Sequence, residues 1–76
     1  MSTLTAERLR ADVAAALDCP PAEVDAEADL QDLGLDSLRV MGLVEKWRGA
    51  GASDLEFADL AEDPRLVAWN ARLVRS

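Results

Sequence analysis

The chain has 76 residues, half of them apolar, with 15 acids, 8 bases, one cysteine and no histidine. That length suits one domain, residues 1–76, with a small core and no room for a spacious cleft. A net charge of −7 speaks against nucleic acid and anionic membrane as ligands, a lone Cys19 excludes an internal disulfide, and the lack of histidine leaves a zinc site almost without donors.

No apolar run approaches the roughly 20 residues of a membrane span, and the start MSTLTAERLR has no signal-peptide pattern. A soluble, cytoplasmic, monomeric domain with reduced Cys19 is the expectation. The charge is uneven. Glu23, Asp25, Glu27, Asp29, Asp32 and Asp36 form an acidic stretch with no base among them, while residues 37–76 balance six bases against six acids. Such a run is either a solvated loop or a surface that steers basic partners.

A first helix is expected from about Thr5, which can cap it, with Glu7 at the positive end of the dipole and Leu4 stapled onto Leu9. Leu9, Val13, Ala16 and Leu17 repeat with helical spacing as its core stripe, and Pro20-Pro21 is its stop. Residues 18–35 then form a long connection, read as ordered because Val24, Leu30, Leu33 and Leu35 can anchor it in the core. A second helix should start at Asp36 or Ser37 and run to about Arg48, where Gly49–Gly51 ends it; Val40, Leu43, Val44 and Trp47 are its stripe. After a link at 52–56, a short helical turn from about Phe57 to Glu62 offers Phe57, Leu60 and Ala61. Asp63-Pro64 is a start signal for a last helix with Leu66, Trp69 and Leu73 inward. The fold class is therefore all-α: three main helices plus a short third one, with a long ordered loop after the first.

Catalytic chemistry is poorly supplied. A nucleophilic serine needs a base, commonly histidine, and GLDSLR does not fit the G-x-S-x-G elbow. Asp25-x-Glu27-x-Asp29 has Leu30 where a calcium loop needs its glycine and Asp36 where it needs a bidentate Glu, so no metal site is expected. Cys19, Trp47 and Trp69 read as packing residues. Gly34-Leu35-Asp36-Ser37-Leu38 is different. It places a serine at the first turn of a helix, behind a glycine that permits a tight turn and an Asp that can cap. Free N–H groups and the dipole stabilise phosphate there, so Ser37 is well placed to carry a phosphodiester, although a plain pair of capping residues has the same pattern. At about 100° per residue, Leu38 and Met41 point away from the core stripe and leave an apolar pair beside Ser37.

G-L-D-S-L after a long acidic loop resembles the carrier proteins modified by 4′-phosphopantetheine, and the resemblance spans nearly the whole chain. The blocks R-V-M-G-L-V-E-K-W-R-G-A-G and F-A-D-L-A-E-D-P-R-L-V-A-W look more specifically like aryl carrier domains of siderophore-type nonribosomal peptide synthesis, with Asn70 where a second aromatic residue is common. The resemblance implies a four-helix carrier bundle that is not itself an enzyme. It implies that Ser37 receives phosphopantetheine from coenzyme A through a separate phosphopantetheinyl transferase, with Asp36 capping and positioning that enzyme or its metal. Leu38, Met41, Phe57 and Ala61 match the positions where partners dock. The arm's thiol, not Cys19, would hold an acyl group as a thioester, loaded by an adenylating ligase and passed to a condensing or other downstream enzyme. Carriers of fatty-acid synthesis are strongly acidic along the second helix, whereas Arg39, Glu45, Lys46 and Arg48 make this one net positive, which favours peptide assembly lines. The alternatives are a carrier for an amino acid or polyketide unit, and an acidic helical adaptor with no prosthetic group.

Overall fold

Every described residue that belongs to a regular element is helical. The computed structural model describes residues 4–74, so the outermost residues of the expected 1–76 domain lie outside the described residues. The helices are α1 (Ala6–Leu17), α2 (Ser37–Gly49), the short α3 (Phe57–Ala61) and α4 (Leu66–Leu73), with one 3₁₀ turn at Pro21–Glu23 in the long loop. No strand occurs among the described residues. This is the four-helix arrangement that the patterning predicts.

α1 begins as expected: the Arg8 N–H donates to the Thr5 hydroxyl at 3.1 Å, and Leu4 and Leu9 are both buried in the core. Its far end differs. Leu9 and Val13 are buried together with Ala14, while Ala16 and Leu17 are only half-buried at the rim. The reason is an early stop. Asp18 takes the left-handed conformation, φ 59°, and the Cys19 N–H returns to the Ala14 carbonyl at 3.0 Å, so the last turn of α1 faces the bundle edge before Pro20 is reached.

The 18–35 connection is pinned by Val24, Leu30 and Leu35, all buried. Leu33 is a correction: it is 47% exposed and anchors nothing. One tight turn explains this. The N–H groups of Leu33 and Leu35 both donate to the Leu30 carbonyl, at 3.1 and 3.0 Å, and Gly34 takes φ 106°, which brings Leu35 back inward and leaves Leu33 at the outer corner. The loop is also tied to the start of α4. Leu30 N–H donates to the Pro64 carbonyl and Val67 N–H to the Ala26 carbonyl, both at 2.8 Å.

Those ties displace the last helix from its expected start. α4 begins at Leu66 with extended Arg65 as its cap, not at Asp63-Pro64. Asp63 is engaged by the Arg65 guanidinium, with Nε and Nη2 each 2.7 Å from a carboxylate oxygen, and Pro64 presents its carbonyl to the loop. That bidentate hydrogen bond holds the Asp63 carboxyl below its ordinary value of 3.8 and pushes Arg65 up.

The core joins all four helices. Val40, Leu43, Val44 and Trp47 of α2 meet Leu60 of α3 and Leu66, Trp69 and Leu73 of α4; Leu55, in the link before α3, is fully buried with them. Trp47 and Trp69 pack edge to face at a centroid distance of 5.9 Å. Each indole N–H is satisfied: Trp69 donates to the Leu60 carbonyl at 3.0 Å and Trp47 to Asp12 Oδ2 at 2.8 Å. Both tryptophans are packing residues, as their place on the stripes predicts. Among the described residues, no helix is long and apolar enough to cross a membrane.

Candidate functional site

Ser37 opens α2 on the surface. Asp36, extended at φ −87°, is the N-cap: its Oδ1 accepts the Arg39 N–H at 2.9 Å, and its carbonyl accepts the Val40 N–H at 3.0 Å. Capping is therefore the work of Asp36, while Ser37 is exposed and its hydroxyl makes no hydrogen bond among the described residues. The first-turn N–H groups of Ser37 and Leu38 have no acceptor within the helix, so the positive end of a 13-residue helix lies beside that hydroxyl.

The approach to Ser37 is open. Gln31, Gly34, Leu35, Asp36 and Ser37 line a shallow depression in front of the helix. Gly34 makes it possible, since its φ of 106° brings the chain from the Leu30 turn round into the cap, and the Arg39 guanidinium donates to its carbonyl at 3.3 Å. Gln31 was not legible as part of this surface from the sequence, because its place depends on how the turn winds. A phosphodiester on Ser37 fits here: the serine is exposed, the helix end is electropositive, and no side chain closes the space.

The other expected contact residues divide into two sets. Leu38 is 83% and Met41 44% exposed, so both stand off the core as the angular argument predicts. Phe57 and Ala61 on α3 are both half-buried, with Phe57 packed at the rim of the core, and α3 itself packs against α2. The acidic stretch is a solvated loop with local roles: Asp25 Oδ1 accepts the Glu27 N–H at 2.9 Å and Asp29 Oδ1 the Gln31 N–H at 2.8 Å. No three acids or cysteines converge as metal donors among the described residues. Cys19 is half-buried against the core.

The comparisons agree with this geometry. The profile of the family described as "Phosphopantetheine attachment site" matches residues 7–73. The acyl carrier protein ScoB of Streptomyces coeruleorubidus is 46% identical over 66 residues, covering 87% of this chain and 76% of that protein. An isochorismatase of Bacillus subtilis is 40% identical over 72 residues, or 95% of this chain. Phenyloxazoline synthase MbtB of a Mycobacterium species (strain MCS) is 41% identical over 70 residues, or 92% of this chain. The chain spans only 23% of the isochorismatase and 6% of the synthase, so in those proteins the similarity is to one segment. No solved structure gives a significant match. This chain belongs to the phosphopantetheine-binding carrier family, whose domain holds 4′-phosphopantetheine covalently on a serine and is not itself a catalyst.

Proposed function

We propose that Ser37 is the attachment serine and that this single carrier module presents an aryl group as a thioester to enzymes of siderophore-type nonribosomal peptide synthesis. The observation that carries the attachment is the division of labour at the start of α2. Asp36 caps the helix through the Arg39 N–H, which leaves Ser37 exposed at an electropositive helix end, its hydroxyl making no hydrogen bond among the described residues. The aryl reading is supported by similarity to a segment of a phenyloxazoline synthase and of an isochorismatase, together with the W-R-x-x-G and D-L-A-E-x-P blocks.

The chemistry asks little of the protein itself. A thioester is already activated toward acyl transfer, and a tether converts the next encounter into one of high effective concentration. The module has to be recognised in turn by a phosphopantetheinyl transferase, an adenylating ligase and a condensing or other downstream enzyme. A modest apolar patch suits such transient contacts, and Leu38, Met41, Phe57 and Ala61 on α2 and α3 supply it. A cytoplasmic setting follows from partners that use coenzyme A and ATP.

The test is loading of the phosphopantetheine form by purified adenylating enzymes, read by intact mass. Selective acylation by an enzyme that activates salicylate or dihydroxybenzoate is expected. Selective acylation by an amino-acid activator would replace the aryl assignment with an aminoacyl one.

A further inference from the structure

Leu33 is the one leucine of the 18–35 loop that the core leaves out, and it does not simply face water. With Leu17 at the end of α1, Cys19 and Glu23, it lines a groove of about 270 Å³. Leu17 and Cys19 are half-buried against the core, whereas Leu33 and Glu23 are exposed. Pockets for drug-sized molecules start at about 300 Å³, so this groove suits a smaller group such as a single ring. It is also too small for a stable protein interface, which needs roughly 800 Å² from each partner.

The place of the groove points to a tethered occupant. Gly34 lines the depression in front of Ser37 and Leu33 lines the groove, so the two spaces meet at consecutive residues. Leu33 and Ser37 are four residues apart, which puts their Cα atoms at most about 15 Å from each other. From the Ser37 Cα to its sulfur, a phosphopantetheine arm has as many chain bonds as about five residues and extends roughly 17 Å. A group on that sulfur reaches Leu33 without leaving the protein, and a short tether makes even a weak contact well populated. Charge narrows the choice further. Glu23 in the groove, with Asp25 close by in the chain, repels a free aryl carboxylate, whereas the thioester has lost that charge.

We propose that the groove formed by Leu17, Cys19, Glu23 and Leu33 is a resting site for the aryl thioester on this protein's own arm. The ring lies between Leu17 and Leu33, which takes apolar surface out of water and shields the adjacent thioester from hydrolysis between encounters. The contact is small, so a partner enzyme can draw the arm out. This rests on Ser37 carrying the arm and on an aryl cargo.

The experiment loads the protein directly from coenzyme A or from its acetyl, benzoyl and salicyl thioesters, with a broad-specificity transferase and Mg²⁺. No ligase is involved. Intact mass confirms each form and follows thioester hydrolysis, and methyl NMR reads Leu17 and Leu33. Aromatic protons of the benzoyl and salicyl forms are expected to show nuclear Overhauser contacts to both leucines, and the acetyl form none. Free benzoate should leave the methyl signals of the free-thiol form in place. A resting fraction of about two-thirds slows hydrolysis about threefold, so Leu33→Ala should hydrolyse the aryl thioesters about threefold faster, with the acetyl rate unchanged. Aryl forms without contacts to either leucine would overturn the proposal, and so would wild-type aryl hydrolysis in a folded Leu33→Ala. Contacts of equal strength in the acetyl form would overturn it too, because the groove would then hold the arm and not the ring. Failure of the wild type to gain mass would remove the Ser37 assignment and the proposal with it.

Discussion

The indole N–H of Trp47 donates to the Asp12 carboxylate at 2.8 Å, and this bond fastens α1 to α2 directly beneath the exposed face of α2. The same carboxylate lies 3.7 Å from Arg8 and 3.7 Å from Lys46, and its side chain is 17% exposed. A hydrogen bond to a largely buried charge is stronger than the loose ion pairs around it, which are exposed and screened. Asp12→Asn, which keeps an acceptor for the indole, should cost less than about 1 kcal/mol. Asp12→Ala leaves the indole N–H unpaired and should cost about 1–3 kcal/mol. Urea denaturation separates the two; equal losses would mean that the ion pairs carry the contact.

The cap and the modifiable hydroxyl are neighbours with separate duties. Asp36→Ala removes the acceptor for the Arg39 N–H and should destabilise the domain by about 0.5–2 kcal/mol. Ser37→Ala touches no bond that the fold uses and should stay within about 0.5 kcal/mol of wild type. Thermal melts of the two variants check this, and a large loss for Ser37→Ala would give the hydroxyl a structural role.

Much of this was legible in the sequence because it depends on local periodicity. The α2 stripe, the Thr5 and Asp36 caps, the α4 stripe and the outward pair Leu38 and Met41 all follow from helical spacing. What was not legible depends on distant partners. Leu33 resembles its neighbours Leu30 and Leu35, and only the turn closed on the Leu30 carbonyl decides which two go inside. Asp63-Pro64 has the composition of a helix start, but the loop takes the Pro64 carbonyl and Arg65 takes the Asp63 carboxylate, so the helix begins later. Gln31 joins the Ser37 depression through the same turn.

That turn makes a direct test. Leu30→Ala and Leu35→Ala each remove a buried side chain and should cost about 2–5 kcal/mol. Leu33→Ala should change stability by no more than about 0.5 kcal/mol, because the side chain is 47% exposed. Denaturation midpoints that rank Leu33 with the other two would place it in the core after all.

The Asp63–Arg65 pair sets a pH dependence of known sign. The folded carboxyl titrates below 3.8, so its contribution is fully present above that value and is lost as pH falls through the lowered one. Carboxyl chemical shifts followed by NMR should show Asp63 titrating low in wild type and returning toward 3.8 in Arg65→Gln. An unchanged Asp63 titration in that variant would mean that the guanidinium is not the cause.

Met41 tests the partner face independently of attachment. Met41→Ala, at a 44% exposed position, should leave folding and phosphopantetheine attachment largely intact while slowing acyl transfer to at least one downstream enzyme. Unfolding of the variant would put Met41 on the wrong side of α2.

The central claim, that Ser37 carries the phosphopantetheine arm, is tested most directly by intact mass after incubation with coenzyme A and a broad-specificity transferase. A single phosphopantetheine increment on wild type, absent from a folded Ser37→Ala, is the predicted result. An unmodified wild type, or an increment that survives on Ser37→Ala, would contradict it.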